Sequence, residues 1–375
     1  MRVLYDSSCF AQEYGGVSRY YCEMIKRLPN DIEAIIPLKS TINRYLQQAP
    51  FEMPKMRYSV HDFVRGCLGG RYIPGVSHIY GLLSTVFPQI FPSGEKENGR
   101  ELKAAVNFGN YDVYHVTGPN YYNPLWCQVR KPIVVTVHDL IFDKLVRDKR
   151  VIRGRRKLLA AAKAVIAVSE YTKNELVGYY GINEDKVHVV YHGPTFTKMK
   201  PEPDRGYILY VGRRAGYKNW NWFAKAVAPL IRESGLRLVC TGSEFTDDER
   251  RWLHELGILE LSSAYSVDDS GLSELYAHAS VMVLPSECEG FGLPILDAWT
   301  FGCPVVLSRA SCFPEIARNA AAYFELGDDE GLRSAIRSVL GENRHLFADK
   351  GFAELPRFSW ERCAEETADV YRSVV

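Results

Sequence analysis

Short runs of apolar, mostly β-branched residues recur along the chain, each followed by a polar or glycine-containing loop and then by a segment of helical periodicity. The clearest runs occupy residues 132–137, 165–168, 207–211, 281–284 and 303–308. Their apolar residues are nearly continuous rather than alternating, which is typical of strands buried on both faces of a parallel sheet. The pattern therefore predicts an α/β protein with doubly wound sheets.

The N-terminus opens with one such unit. Residues 2–5 predict a strand, the following loop contains Gly15 and Gly16, and residues 18–28 predict a helix. Glycines at this point let a ligand approach the backbone closely. The third glycine of the dinucleotide fingerprint is missing, so a nicotinamide or flavin site is not indicated.

The length of 375 residues predicts two domains. The proline-containing segment 194–205 is the predicted linker, which gives domains at 1–195 and 196–358 and a last amphipathic segment at 359–375. Residues 1–195 carry 26 Lys and Arg against 18 Asp and Glu, or +8, and the remainder carries 20 against 27, or −7. One half is therefore expected to face an anionic ligand or surface.

Two parts of the first half have alternative interpretations. Residues 41–103 are irregular and rich in aromatic and basic residues, and form either helices packed on the sheet edge or a surface facing an acceptor or a membrane. Eight Lys and Arg residues lie between Lys144 and Lys157. They form either a solvated helical face or a site for phosphate groups of an acceptor or an anionic bilayer. No base-reading module accompanies them, which argues against nucleic acid.

The composition also indicates the cellular compartment of the protein. Nine dispersed cysteines without a CxxC pair predict a reduced, cytoplasmic protein. The longest stretch without charged residues, 72–94, is interrupted by three prolines and is a poor membrane span. We therefore expect a cytoplasmic protein, with peripheral association with the inner face of the membrane as an extension of that prediction.

Residues 285–298 are the strongest functional candidate. They join the predicted strand 281–284 to a predicted helix and hold Glu289, Gly290, Phe291, Gly292, Leu293 and Asp297. Free N–H groups at a helix start favour an anionic or oxygen-rich ligand. A loop that merely caps a helix is the alternative, but it needs neither an aromatic residue nor two acids at this spacing.

Two further clusters lie at predicted strand ends. His138 follows the strand 132–137, at the edge where ligands collect in open α/β sheets, although a solvated histidine is the alternative. Arg213 and Lys218 follow the strand 207–211 and have the spacing to hold a diphosphate from two sides. Arg214 is an alternative to Arg213.

These segments together resemble the retaining GT-B glycosyltransferases of family 4, the "glycosyl transferases group 1". That family has a motif of two acids separated by seven residues. The motif appears here as Glu289 to Asp297 within EGFGLPILDA. The family usually has Glu at the second position, and Asp297 is one methylene shorter. The VHDL segment containing His138 and the GGVSRY segment resemble bacterial mannosyl- and rhamnosyltransferases of polysaccharide assembly.

The resemblance implies two Rossmann-like domains facing a cleft, with the last helix crossing back onto the first domain. It implies that Glu289 and the amides of residues 290–293 bind the donor sugar, and that Asp297 holds the ribose. Tyr265 would lie near the nucleobase, and Gly15 and Gly16 beside the diphosphate. His138 would face the reacting sugar, while Arg213 and Lys218 would neutralise the leaving group without a metal or other cofactor.

The resulting prediction is a retaining hexosyltransferase with GDP-mannose as the favoured donor and UDP- or dTDP-linked sugars as alternatives. The expected acceptor is a saccharide or lipid-linked saccharide. Two rivals stay open at this point: a nucleotide-sugar epimerase of similar two-domain form, and a non-catalytic protein that binds sugar nucleotides.

Overall fold

The computed structural model describes residues 1–56, 94–118 and 124–375. Most of the aromatic and basic residues that make the 41–103 segment a candidate surface, including Tyr58, Phe63 and Arg65, lie outside the described residues. The interpretation of that segment as an acceptor or membrane surface therefore stays a prediction.

The first domain contains one six-stranded sheet in which every pairing is parallel. Its strands are β1 Arg2–Tyr5, β2 Glu33–Ile35, β3 Val113–Val116, β4 Ile133–Val137, β5 Ala164–Ala167 and β6 Val187–Val189, in the order β2-β1-β3-β4-β5-β6. The helices are Gly16–Ile25, Gly94–Phe108, Ile141–Lys144, Lys149–Ala161 and Glu170–Tyr180, with short 3₁₀ turns at Ser8–Phe10, Pro124–Gln128 and Glu184–Lys186.

The second domain repeats this architecture. Its parallel sheet has the order β12-β11-β10-β7-β8-β9 and consists of β7 Tyr207–Tyr210, β8 Arg237–Thr241, β9 Ser262–Tyr265, β10 Val281–Leu284, β11 Val305–Ser308 and β12 Ala321–Phe324. The helices are Trp220–Ser234, Asp247–Glu255, Asp269–Ala277, Leu293–Thr300, Phe313–Ala317, Asp329–Ser338 and Arg344–Glu354, with 3₁₀ turns at Gly216–Lys218, Leu259–Leu261, Gly341–Asn343 and Leu355–Arg357.

The central strands of both sheets are buried on both faces, which explains their continuous apolar sequences. Residues of β4 and β10 are all buried, and helices cover the two faces of each sheet. The carboxyl ends of β1, β4, β7 and β10 lead into the loops of greatest chemical interest. The two sheets therefore present these loops to a common cleft.

The last helix, Trp360–Val374, packs on the first domain although it follows the second in sequence. Trp360, Cys363, Ala364 and Tyr371 are part of the buried cluster around β1 and the helix Gly16–Ile25. The Tyr371 hydroxyl lies 2.8 Å from that of Tyr5 and 2.6 Å from Nδ1 of His115. The predicted GT-B fold, with its crossing helix, is confirmed. Within the described part of the chain, none of the helices combines the length and hydrophobicity needed to span a bilayer.

Candidate active site

The acidic loop runs from the end of β10 to the helix Leu293–Thr300. Gly292 adopts a left-handed conformation, with φ of +87°, at the position that caps this helix. Glycine tolerates that backbone better than any other residue. The Glu289 N–H donates to Oγ of Ser311 at 3.2 Å, which fixes the loop beside a neighbouring segment of the same domain. The turn thereby aims the Glu289 side chain toward the loop that follows β7.

Lys218 and Glu289 form an ion pair between these two loops. Both side chains are largely buried, with 17% and 15% of their surface exposed. Backbone bonds join the same loops, because Glu287 N–H donates to the Tyr217 carbonyl at 2.8 Å. The Asn219 amide also donates to the Pro285 carbonyl at 3.0 Å. The basic and acidic candidates are therefore parts of one rigid unit.

The two neighbouring arginines have different environments. Arg214 pairs with Glu249 at 2.7 Å and donates to the carbonyls of Thr241, Ser243 and Glu244, so its guanidinium is bound within the domain. Arg213 is exposed beside it. Of the two, only Arg213 has its guanidinium available for a ligand.

A cavity of about 530 Å³ opens next to these arginines and leads toward the end of β9. Its lining includes Gly212, Arg213 and Gly242. The N–H of Gly242 donates to the Tyr265 carbonyl at 2.9 Å, and the Tyr265 side chain is 45% exposed. The cavity and Tyr265 therefore lie on adjoining loops.

The opposite wall of the cleft is the loop after β4, which contacts the acidic loop directly. A Cβ on Gly290 would lie 1.6 Å from the His138 carbonyl oxygen and 3.3 Å from Val168. The Gly290 carbonyl accepts from Oγ of Ser169 at 2.7 Å. Only a residue without a side chain allows this approach, so Gly290 and His138 close the cleft between the domains.

His138 lies in a buried aromatic cluster. Its ring centroid is 5.0 Å from that of Tyr20 and 6.0 Å from that of His192, and its Nε2 is buried without a hydrogen-bond partner among the described residues. Burial lowers the pKa of His138 to about 3, helped by the nearby charge of Arg155. The imidazole is therefore neutral at neutral pH.

The glycine loop lies across the cleft from the start of the helix Leu293–Thr300. A Cβ on Gly16 would lie 3.9 Å from Leu293 Cδ1, and Gly15 caps the helix Gly16–Ile25. Arg19, three residues after Gly16, forms an ion pair with Asp269 of the second domain. Leu293 packs against the cores of both domains.

Phe291 is a structural residue in this arrangement. Its ring is 4% exposed and packs 4.3 Å from that of His192 and 5.9 Å from that of Tyr191, measured between centroids. It therefore presents its backbone, rather than its ring, to the cleft.

Asp297 is buried at the other end of the motif. One carboxylate oxygen accepts the N–H of Thr195, in the linker, at 2.7 Å. Burial raises the pKa of Asp297 to about 7. The carboxyl group therefore anchors the linker to the helix Leu293–Thr300, and any contact with a ribose would share it with that bond.

Sequence reasoning missed two functional candidates. Glu315 accepts the N–H groups of Glu170 and Tyr171, both at 2.8 Å, and the Tyr191 hydroxyl at 2.9 Å, so a second-domain acid caps a first-domain helix. Nothing in the sequence indicates such a contact between distant segments.

Asp6 is the other missed residue. It lies at the carboxyl end of β1, is 5% exposed, and lines a cavity of about 200 Å³ together with Phe10, Leu38 and Leu102. Its Oδ1 accepts from Ser8 and Thr117. An acid directly after a buried strand was the available signal.

Among residues 1–56, 94–118 and 124–375, no three His, Cys, Asp or Glu side chains are grouped to hold a metal ion. The charged groups that the loops after β7 and β10 contribute include Lys218, Glu289 and Arg213. They suit a ligand that carries both phosphate and hydroxyl groups.

Known proteins share both the sequence pattern and the fold. A family model described as "Glycosyltransferase Family 4" matches residues 42–194, and one described as "Glycosyl transferases group 1" matches residues 205–342. O-antigen chain mannosyltransferase B of Escherichia coli is 26% identical over 99% of this chain and 100% of its own length. O-antigen chain mannosyltransferase RfbU of Salmonella typhimurium is 25% identical over 64% of this chain and 67% of its own.

Solved structures show the same two-domain arrangement. The Anabaena protein Alr3699/HepE, in complex with UDP and glucose, superposes with a TM-score of 0.74 over 100% of both chains at 16% identity. Sucrose-phosphate synthase from Thermosynechococcus elongatus gives a TM-score of 0.72 over 99% of this chain and 98% of its own, at 17% identity. With consecutive family models covering both domains and the GT-B fold in place, the chain belongs to the family 4 glycosyltransferases, the "glycosyl transferases group 1".

Proposed function

We propose that this glycosyltransferase transfers a mannosyl unit from GDP-mannose, with retention of configuration, to a saccharide or lipid-linked saccharide in surface polysaccharide assembly. Two relatives named as O-antigen chain mannosyltransferases support the sugar and the process, one of them over its whole length. The UDP in the Anabaena structure does not decide which nucleobase the donor carries, because a similarity of 16% sequence identity supports only a shared fold. We place the enzyme in the cytoplasm, at the inner face of the membrane.

The observation that carries the proposal is the ion pair of Lys218 with Glu289. A diphosphate at the loop after β7 would compete with Glu289 for the Lys218 ammonium group, because both are anionic partners of one cation. Donor binding then releases the Glu289 carboxylate to accept hydrogen bonds from sugar hydroxyls. The pair thus couples occupation of the diphosphate site to recognition of the sugar.

Cleavage of the bond between the sugar carbon and the phosphate oxygen leaves an electron pair on the phosphate. Lys218, Arg213 and the N–H groups at the start of the helix Leu293–Thr300 face that growing charge and stabilise it. The oxygen of the acceptor hydroxyl forms the new bond to that carbon from the face that the diphosphate leaves, and its proton passes to the departing phosphate oxygen. No metal or other cofactor is required in this scheme.

The acceptor enters from the first domain. His138, neutral at neutral pH, orients the sugar that reacts. The Asp6 cavity lies at the same sheet edge, two strands away in the order β1-β3-β4, which corresponds to about 10 Å at ordinary strand spacing. A carboxylate in a cavity lined by both apolar and polar side chains, the polar ones including Thr41 and Asn98, suits one hydroxyl-bearing sugar ring of the acceptor.

Donor identity is tested by thermal shift with GDP-, UDP-, dTDP- and ADP-sugars, with and without EDTA. At about a hundred times its dissociation constant, the true donor stabilises the protein by about 2.7 kcal/mol. We expect this shift with GDP-mannose, unchanged by EDTA. A shift with another nucleotide alone would reassign the donor, and loss of the shift in EDTA would contradict the metal-free scheme.

Turnover is tested with Lys218→Ala and Glu289→Ala, each of which is expected to lower kcat by about 10²-fold or more while the protein stays folded. Arg309→Ala is the matched control, because Arg309 forms an exposed ion pair with Glu325 in the same domain. Wild-type rates in the two cleft variants would refute their roles. Product analysis by NMR identifies the anomer, and conversion of donor without acceptor into an isomeric sugar nucleotide would indicate the epimerase instead.

A further inference from the structure

An exposed surface directly after His138 combines apolar and basic side chains. Phe142, Leu145 and Val146 are 45%, 40% and 59% exposed. The helix Lys149–Ala161 follows at once and buries Val151, Leu158 and Leu159 against the domain. We call the outward-facing set the basic-apolar patch: Phe142, Leu145, Val146, Arg147, Lys149, Arg150, Arg153, Arg156 and Lys157.

In the part of the chain that the structure describes, the acids near the patch are engaged elsewhere and do not neutralise its charge. Asp143 is buried and pairs with Arg155 at 2.5 Å, Glu175 pairs with Lys144, and Asp148 accepts the N–H of Arg150 as the helix cap. Among the described residues, no carboxylate lies within ion-pair distance of the side chains of Arg147, Lys149, Arg150, Arg153 or Lys157. The helix therefore presents a uniformly positive stripe, bordered by three exposed apolar residues.

We propose that the basic-apolar patch docks the enzyme on an anionic lipid bilayer, with the apolar residues entering the headgroup layer and the basic residues contacting lipid phosphates. Both parts of the patch are needed for this occupant. Basic side chains near an anionic membrane gain electrostatic energy, and apolar side chains gain from entering its interface. A nucleic-acid backbone would use the charges but would leave Phe142, Leu145 and Val146 exposed to water.

The contacts of one arginine also connect the patch to the cleft. Arg155 donates to the Asp139 carbonyl at 2.8 Å while it holds Asp143, so one buried guanidinium fixes both the residue after His138 and the start of the patch. Docking would therefore bring the acceptor side of the cleft to the bilayer surface. The lipid-linked nature of the acceptor rests on the proposed function, whereas docking itself does not.

Vesicle co-sedimentation tests the proposal with the full-length protein. Vesicles of seven parts phosphatidylcholine to three parts phosphatidylglycerol should bind the wild type, and pure phosphatidylcholine should bind it much more weakly. Arg150→Gln/Arg153→Gln should lower binding about 25-fold, at roughly fivefold for each charge removed. Phe142→Ser/Val146→Ser should also release the protein, including at low salt.

Matched controls lie elsewhere on the surface. Arg250→Gln/Arg251→Gln removes two charges from the second domain. Phe108→Ser removes an 82% exposed ring that precedes the amino end of β3, whereas the patch begins after the carboxyl end of β4. Both should bind like the wild type. Equal binding by the patch variants, or binding of the wild type to a duplex oligonucleotide but not to the anionic vesicles, would overturn the proposal.

Activity with a soluble acceptor separates this inference from the proposed function. The patch variants should keep wild-type kcat on that acceptor and lose rate only with acceptor embedded in anionic vesicles. A wild type that binds vesicles but transfers no sugar would support the docking surface while refuting the proposed function. Equal rates of all variants on embedded acceptor would count against docking.

Discussion

Substituting Gly290 by alanine tests whether the contact between the two loops is required for turnover. A Cβ at this position would lie 1.6 Å from the His138 carbonyl oxygen, where real carbon and oxygen atoms rarely come closer than about 3 Å. The oxygen belongs to the backbone and the Cβ is bonded directly to the backbone, so neither atom can move away by a side-chain rotation. The loops must separate by roughly 1.5 Å, and the hydrogen bond from Ser169 to the Gly290 carbonyl at 2.7 Å is stretched or lost.

The cost should appear in catalysis rather than in folding. The lost hydrogen bond is worth about 1 kcal/mol, a small part of the stability of two domains with separate cores. A displacement of about 1 Å in a reacting geometry can lower the rate about 10²-fold. We therefore expect Gly290→Ala to bind donor nucleotide, melt within a few degrees of the wild type, and lose about two orders of magnitude in kcat.

Steady-state kinetics and thermal melting measure these two effects, and small-angle scattering reports the opening of the cleft. Gly178→Ala is the matched control, because Gly178 lies exposed on the helix Glu170–Tyr180 and a Cβ there would have no described atom within 4 Å. That variant should turn over at close to the wild-type rate. Wild-type kcat in Gly290→Ala would show that the closed contact is not part of the working enzyme.

Three further predictions follow from neighbouring residues. Arg213→Ala should lower kcat about 10²-fold with unchanged stability, whereas Arg214→Ala, which breaks the pair with Glu249, should lower the free energy of unfolding by about 2 kcal/mol. Asp6→Asn should raise KM for the acceptor and leave donor binding unchanged. Burial raises the pKa of Asp297 to about 7, so near neutral pH the folded protein retains a proton there that the unfolded chain has released. The contribution of Asp297 to the free energy of unfolding therefore falls as the pH rises. The unfolding free energy of the wild type relative to Asp297→Asn should fall by about 2 kcal/mol between pH 5.5 and 8.5.

Each of these three predictions has a result that would contradict it. An unstable Arg213→Ala with an intact Arg214→Ala would reverse the two roles, and an unchanged acceptor KM would remove Asp6 from the acceptor site. Parallel pH profiles of the wild type and Asp297→Asn in urea denaturation would show that Asp297 does not titrate in this range. Asp268→Asn serves as the control there, since Asp268 is exposed and also accepts a backbone N–H, from Gly271.

The fold was predictable because its signals are local. Buried parallel strands need continuous apolar residues, and β4, β7, β10 and β11 overlap the apolar runs in the sequence. β12 was missed, since Ala321–Phe324 has alanine where bulkier β-branched residues would mark a strand. Element ends also differ: the first helix is Gly16–Ile25 rather than the predicted 18–28.

The candidate site was less predictable because its closure depends on contacts between distant segments. Sequence motifs named Glu289 and Lys218 but gave no sign that they pair. The choice between Arg213 and Arg214 needed Glu249, which lies 35 residues further along the chain. The aromatic ring of Phe291 suggested a ligand, while its position against His192 makes it part of the interdomain packing.

The polypeptide crosses between the domains twice, once in the linker after His192 and again before Trp360. The two crossings touch: a Cβ on Gly193 would lie 2.5 Å from the Trp360 nitrogen, and the Trp360 indole donates to the Pro194 carbonyl at 2.8 Å. We therefore expect the two adjacent connections to act together as a short hinge between the domains. Such a connection should allow the domains to rotate about the axis through it and should oppose sliding of one domain along the other.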